Sequence, residues 1–170
     1  MDDAPAIRRA RPRDAAAFLD FWRDIVAEEG FVRTEEVRHP PRVYRRRFRG
    51  RSEWDVHLVA LDGPRVVGYV TVQRERHPVT RHVGSLAIAV ARDARGRGVG
   101  RRLMQEAFAW AERVGVEKIV LSVYPHNEAA RSLYRSMGFV EEGRLARHSR
   151  KSYGYEDEIL MAVWLGDGDA

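Results

Sequence analysis

The segment from His82 to Arg113 constrains the fold of this chain more than any other. An apolar stretch, His82 to Val90, precedes Arg95-Gly96-Arg97-Gly98-Val99-Gly100, and apolar residues then recur at helical spacing. A strand, a glycine-rich turn and an amphipathic helix in this order leave backbone N–H groups unpaired where the helix dipole adds partial positive charge. The junction therefore predicts a binding site for a diphosphate, and with it a nucleotide-bearing cofactor.

The spacing separates this loop from other glycine-rich loops. A P-loop needs Lys-Ser or Lys-Thr at its end, whereas Arg101 and Arg102 follow Gly100. A dinucleotide-binding loop needs a third glycine and an acidic residue about 20 residues further on. Glu117 lies near that offset but precedes the next strand, so this interpretation is weak. A surface turn with solvated arginines is the remaining alternative for an isolated Gly-x-Gly.

A second motif follows the predicted strand Lys118 to Val123. Asn127 is suited to cap a helix, and Gly138 is suited to end it. Between them, the residues that share one helical face are Ala130, Leu133, Tyr134 and Met137.

Together the two motifs resemble those of the GNAT N-acetyltransferase superfamily. Its loop reads Arg/Gln-x-x-Gly-x-Gly/Ala, and its later segment reads Asn-x-x-Ala-x-x-Leu-Tyr-x-x-x-Gly-Phe. The matching residues are Arg95, Gly98, Gly100, Asn127, Ala130, Leu133, Tyr134, Gly138 and Phe139. The resemblance reaches from Ile7 to Leu165, with the first third supported by the order of elements alone. It implies one N-acetyltransferase domain over residues 1–170, with a recognisable core at about residues 7–165.

The order of elements predicts an α/β fold. The resemblance implies a GNAT fold: a mixed, mostly antiparallel twisted sheet of about seven strands, flanked by about four helices, with a splayed central parallel pair. The pantetheine arm of acetyl-CoA would lie between those two strands. Besides the two motifs, the predicted strands are Ile7–Ala10, Trp54–Leu61, Arg65–Gln73, Arg81–Val90, Val140–Arg144 and Glu158–Leu165, with a hairpin at Asp62-Gly63 and an arginine-rich helix at Arg42–Arg51.

The resemblance also implies the positions of acetyl-CoA and of the catalytic acid. The residues assigned to the cosubstrate are Ile88, Ala89, Val90, Arg95, Gly96, Arg97, Gly98, Val99, Gly100, Arg101, Asn127 and Arg131. Tyr134 matches the tyrosine that usually serves the family as general acid. Because an unperturbed tyrosine has a pKa near 10, its side chain keeps its proton at neutral pH. The alternative role for Tyr134 is that of a core aromatic residue.

The general base is the point at which this chain departs from the family. Many members carry a glutamate on the strand before the glycine loop or on the strand after its helix, and here those strands offer His82, Ser85 and Ser122. His82 is the candidate base because an unperturbed histidine has a pKa close to physiological pH. The candidates for acceptor binding are Trp22, Glu75, Asp157 and Glu158. The three carboxylates among them are also alternative bases, acting by direct contact or through water.

Composition excludes several classes of protein. The 170 residues contain no cysteine, so disulfides, a thiol nucleophile and thiolate metal sites are excluded, and we expect no metal. No apolar run approaches the roughly 20 residues of a membrane span, so we expect a cytoplasmic protein with no membrane partner. Length and a hydrophobic content of 44% are ordinary for one globular domain.

Three functions compete at this stage. The first is an N-acetyltransferase whose acceptor is the primary amine of a small molecule or a protein N-terminus. The second is a non-catalytic acyl-CoA-binding sensor. The third, favoured least, is nucleic-acid binding through Arg42–Arg51, in a chain of net charge +5 with only two lysines. An exposed sheet edge at the last strands is compatible with a homodimer.

Overall fold

The fold is a mixed α/β sheet, which confirms the predicted class. The structure is a computed structural model that describes residues 4–28, 30–50 and 52–166. Its strands are β1 (Ala6–Arg9), β2 (Asp55–Asp62), β3 (Arg65–Arg74), β4 (Val83–Val90), β5 (Lys118–Val123), β6 (Val140–Lys151) and β7 (Gly154–Trp164). Its helices are α1 (Ala15–Ala27), α2 (Pro41–Arg47), α3 (Val99–Arg113) and α4 (Glu128–Ser136).

The seven strands lie in the order β1-β2-β3-β4-β5-β7-β6. β4 and β5 run parallel, whereas the other neighbouring strands of the described sheet are antiparallel. In the described part of the chain, no helix is long and apolar enough to cross a membrane.

The central parallel pair is joined at one end only. Residues 83–85 of β4 pair with residues 118–120 of β5, and the pairing then stops. Beyond this point β4 continues along β3 as far as Val90, and β5 continues along β7 as far as Val123. A gap therefore opens between the two strands toward their carboxyl ends, as the resemblance implied.

The two faces of the sheet carry different elements. A Cβ on Gly68 of β3 would lie 2.8 Å from Leu103 and 3.1 Å from Val99, so this face of the sheet contacts α3 closely. A Cβ on Gly138, just after α4, would lie 3.3 Å from Val163, which pairs with Ile119 of β5. Since side chains alternate along a strand, Ser122 lies on the opposite face, on the side of the α1–α2 connection.

Three predicted boundaries were wrong. The last hairpin is much longer than expected, because β6 extends to Lys151 and β7 begins at Gly154. The arginine-rich helix ends at Arg47, and Arg51 lies outside the described residues. The turn between β2 and β3 is Gly63-Pro64, one residue later than the predicted Asp62-Gly63, since Asp62 pairs with Arg65.

Candidate functional site

The glycine loop presents a row of backbone donors at the start of α3. Gly96 and Gly98 have φ values of 73° and 76°, a left-handed conformation that favours glycine, and a Cβ on either would meet open space. Among the described residues, the N–H groups of Gly98, Val99, Gly100 and Arg101 have no acceptor. Unpaired donors at the positive end of a helix dipole form a site suited to phosphate oxygens.

Arg95 braces this loop from within the protein. Its Nε donates to the carbonyl of Val90 at 2.9 Å, and its two terminal nitrogens bind the carboxylate of Glu28 at 2.8 and 2.9 Å. The motif arginine therefore fixes the loop against the end of β4 and against the residue that follows α1. Its guanidinium is directed at protein groups, so the donors at this site are mainly backbone N–H groups.

The edge of β4 supplies further donors in the gap. The N–H of Ala91 donates to Val67 of β3 at 2.9 Å, and Ala89 pairs with Tyr69. In an antiparallel ladder the bonded residues alternate, so the N–H of Ala89 is directed at β3 and those of Ile88 and Val90 at the gap. Of the three residues expected here, two face the gap through their backbone.

Helix α4 lies against the start of α3, where a Cβ on Gly100 would lie 3.0 Å from Leu133 of α4. The side chain of Asn127 accepts a hydrogen bond from the N–H of Ala130 at 3.2 Å, which confirms it as the helix cap. Arg131 donates to the carbonyl of Pro125 and to Glu141, and Arg101 donates to Ser136 at 2.7 Å. Both arginines therefore connect protein elements, while Arg97 is exposed on the loop.

Tyr134 lies on the buried face of α4. Its ring packs against Phe139 with the centroids 5.7 Å apart, and the residue is 7% exposed. Burial raises the pKa of Tyr134 to about 12, since an ionised phenol is disfavoured away from water. Among the described residues, its hydroxyl has no hydrogen-bond partner. The side chain thus carries an available proton at any ordinary pH.

Glu158 lies on β7 on the other face of the sheet, buried and with its carboxylate fully engaged. Arg33 pairs with it through Nε and one terminal nitrogen, and Ser149 donates to it at 2.6 Å. The same arginine donates to Ser122 at 3.0 Å. Burial alone would raise the pKa of this carboxyl, but hydrogen bonds from Arg33, Ser122 and Ser149 outweigh it and lower the pKa to about 2.

His82 and Glu75 are not brought near Tyr134. His82 precedes Val83 at the closed end of β4, about 20 Å along the strand from Ile88, and its ring stacks on Trp164. Glu75 lies at the same end, where its N–H donates to Val83. The sequence did not show which end of the parallel pair stays joined, and both candidates depended on this.

Two further acceptor candidates are also engaged elsewhere. Trp22 stacks on Phe18 in the core around α1, with an angle of 10° between the rings. Asp157 accepts hydrogen bonds from Arg144 and from the N–H of Arg147 within the β6–β7 hairpin. Because it precedes Glu158 on β7, its side chain is on the opposite face of the strand.

Sequence reasoning missed the two residues that hold the predicted ones in place, Glu28 and Arg33. Glu28 lies 67 positions from Arg95, and Arg33 lies 125 positions from Glu158. Neither belongs to a motif, so no local signal could have found them.

A strand pair that opens beside a loop of unpaired backbone donors is suited to an acyl-CoA thioester, and comparison with known proteins names the family. Residues 19–139 match the model of the acetyltransferase (GNAT) family, so the chain belongs to this family.

Curated and solved relatives agree with this assignment. The chain is 30% identical over 159 residues to the L-amino acid N-acetyltransferase AaaT of Escherichia coli, covering 92% of this chain and 95% of that protein. It is 35% identical over 115 residues to the N-alpha-acetyltransferase RimI of Mycobacterium tuberculosis, covering 66% and 68%. The structure of yncA from Salmonella typhimurium with its cofactor acetyl-CoA shares the fold, with a TM-score of 0.85, 21% identity and coverage of 98% and 96%. The protein is therefore an N-acetyltransferase.

Proposed function

We propose that acetyl-CoA binds with its diphosphate on the N–H groups of Gly98 to Arg101 and its pantetheine arm along β4. The observation that carries this proposal is the gap itself, in which β4 and β5 separate after Ser85 and Val120. Buried backbone groups need partners, and the amides of a pantetheine arm can pair with Ile88 and Val90 as an added strand would. The open space where Cβ atoms would stand on Gly96 and Gly98 lets the phosphates approach the backbone.

The reaction transfers the acetyl group directly. The neutral amine nitrogen of the acceptor attacks the thioester carbonyl, the new C–N bond forms and the C–S bond breaks. The ammonium proton leaves the nitrogen, and the departing thiolate accepts a proton. A backbone N–H on β4 donates a hydrogen bond to the oxyanion that forms from the thioester carbonyl. An α-amino group at a chain N-terminus, with a pKa of about 7.7–8.0, is mostly protonated at pH 7, and its proton passes to water at the mouth of the gap.

Tyr134 acts on the leaving sulfur. The pKa of Tyr134 is about 12, whereas the conjugate thiol of the leaving thiolate has a pKa of about 8.5. Tyr134 therefore donates a hydrogen bond to the thiolate more readily than it transfers its proton. Its role is therefore to stabilise the thiolate by donating a hydrogen bond while the C–S bond breaks, and the thiolate takes its proton from water as CoA leaves.

The acceptor approaches from the face that carries Ser122 and Arg33. On that face Ser85 and Ala87 of β4 are exposed, whereas the face toward α3 is packed. Both curated relatives act, by name, on α-amino groups, so the acceptor proposed here is the α-amine of an amino acid or of a protein N-terminus.

The experiment follows free thiol while the full-length protein is incubated with acetyl-CoA and a panel of amines, and identifies the N-acetyl product by mass spectrometry. We expect thiol release that depends on one class of amine, with one product molecule per thiol. Thiol release with no amine dependence contradicts the proposal. A CoA-dependent rise in melting temperature without turnover assigns the protein instead as an acyl-CoA sensor.

A further inference from the structure

The segment of residues 30–35, between α1 and α2, is fixed beside the mouth of the gap. Among the described residues, five hydrogen bonds hold it. Lys151 Nζ donates to the carbonyls of Val32 (2.6 Å) and Arg33 (2.9 Å), Ser152 donates to Glu35 through its N–H (2.9 Å) and its hydroxyl (2.7 Å), and His126 Nε2 lies 2.8 Å from the carbonyl of Gly30. The Lys151 side chain is buried, so its two bonds are shielded from water. The backbone that carries Arg33 is therefore held from both flanks.

The side chain of Arg33 is oriented as firmly as its backbone. Nε and one terminal nitrogen bind Glu158, and that terminal nitrogen also donates to Ser122. Since Ser149 also donates to Glu158, this carboxylate has little capacity left for an acceptor ammonium. Glu158, expected to bind the acceptor, instead positions the guanidinium.

One edge of that guanidinium stays available. Among the described residues, the other terminal nitrogen, Nη1, has no acceptor, and the Arg33 side chain is 60% exposed. Ser122 lies two residues after Val120, the last residue of β5 that pairs with β4. The free edge is thus held on the acceptor side, where the gap opens.

We propose that Arg33 selects acceptors that carry a carboxylate beside the reacting amine, which means free α-amino acids. This inference rests on the proposed function and narrows its acceptor class. A guanidinium keeps its charge at all working pH values and pairs with carboxylates through short, charge-assisted hydrogen bonds. A protein N-terminus has no such carboxylate, because its first carbonyl belongs to an amide. The same positive charge favours the neutral form of the bound amine, which is the nucleophile.

The test compares each proteinogenic L-amino acid with its own carboxamide, using full-length protein, acetyl-CoA and thiol release. The decisive quantity is the ratio of kcat/KM for the acid to kcat/KM for the amide. Arg33→Gln should lower this ratio by about 10- to 100-fold, by lowering kcat/KM for the acid alone. Because this ratio is compared between protein variants, the difference in amine pKa between the amino acid and its carboxamide cancels.

Matched variants separate selection from folding. Arg38→Gln alters an exposed arginine of the same connection, paired with Glu36, and should leave the ratio unchanged. The double variant Arg33→Gln with Glu158→Gln removes the buried pair as a whole and should lower the ratio as Arg33→Gln does, with the CoA-dependent rise in melting temperature retained.

Two results overturn the inference. One is an equal loss of kcat/KM for acid and amide in Arg33→Gln. The other is that the wild-type protein acetylates carboxamides or peptides as efficiently as free acids, so that there is no preference for Arg33→Gln to abolish. In both cases acetyl transfer is still observed, so the proposed function survives. Absence of thiol release with every amine instead contradicts the proposed function itself.

Discussion

At the scale of single residues, the arginines of the motifs contribute to the site mainly by holding its backbone in place and less by placing positive charge in it. Arg95, Arg101 and Arg131 all direct their guanidinium groups at protein acceptors: Glu28 and Val90, Ser136, and Pro125 and Glu141. In the proposed site the groups directed at the ligand are backbone N–H groups, which any sequence carries and which this loop leaves without acceptors among the described residues. The motif therefore encodes a backbone shape, and its charged side chains maintain that shape.

Tyr134→Phe tests, at this scale, the role of Tyr134 as hydrogen-bond donor to the leaving thiolate. We expect kcat to fall by about 100-fold, because removing the hydroxyl removes the donor to the leaving thiolate. The CoA-dependent rise in melting temperature should be retained, and Tyr155→Phe, an exposed tyrosine, should keep full activity. Since the pKa of Tyr134 is raised to about 12, the wild-type rate should not decline between pH 7 and pH 10 through loss of this proton. An unchanged kcat in Tyr134→Phe would remove the role.

Glu158 gives a pH dependence of stability with a definite sign. Its pKa is about 2 in the folded protein, against 4.5 for an ordinary glutamate, so its pairing stabilises the fold above about pH 4.5. This contribution is lost as the pH falls toward 2. Urea unfolding of Glu158→Gln should show a larger deficit against wild type at pH 7 than at pH 3. Glu36→Gln, at an exposed pair, serves as the control. Equal deficits at both pH values would contradict this role of the ion pair.

At the scale of elements, close contact between α3 and the sheet depends on missing side chains. Gly68→Ala would place a Cβ 2.8 Å from Leu103 and 3.3 Å from Ala60, so α3 or the strand must shift. We expect a loss of about 1–3 kcal/mol in the free energy of unfolding, measured with urea. Gly143→Ala, on β6 with open space around it, should be near neutral. Equal effects of the two substitutions would contradict the packing argument.

The elements that the sequence predicted well are those with local signals. α3, β5 and α4 combine periodicity with caps and glycines, and their observed positions agree with the prediction. The prediction ended β6 too early, at Arg144, because nearly all residues of this strand are exposed. Their exposure removes the alternation of apolar and polar residues that indicates a strand. The pair of Arg33 with Glu158 joins residues 125 positions apart, and only the folded chain brings them together.

At the scale of the whole molecule, the sheet consists of two parts joined along a short seam. Strands β1 to β4 form one part, β5 to β7 form the other, and three residue pairs link them across the centre. In the proposed site, the open end of this seam is bordered by the donor loop, by Tyr134 of α4 and, on the opposite face, by Arg33. We propose that acetyl transfer follows from this geometry, because the thioester, the hydrogen-bond donor Tyr134 and the acceptor would meet where the two parts separate.

Amide hydrogen exchange with and without acetyl-CoA tests this central claim most directly. Bound cosubstrate should slow exchange in peptides that cover residues 86–90 and 98–101, since their N–H groups gain acceptors there. Peptides over residues 83–85, already paired with β5, should change little. Protection at 86–90 and 98–101 is the result predicted here. Unchanged exchange at both, at a concentration of acetyl-CoA that saturates thiol release, would contradict it.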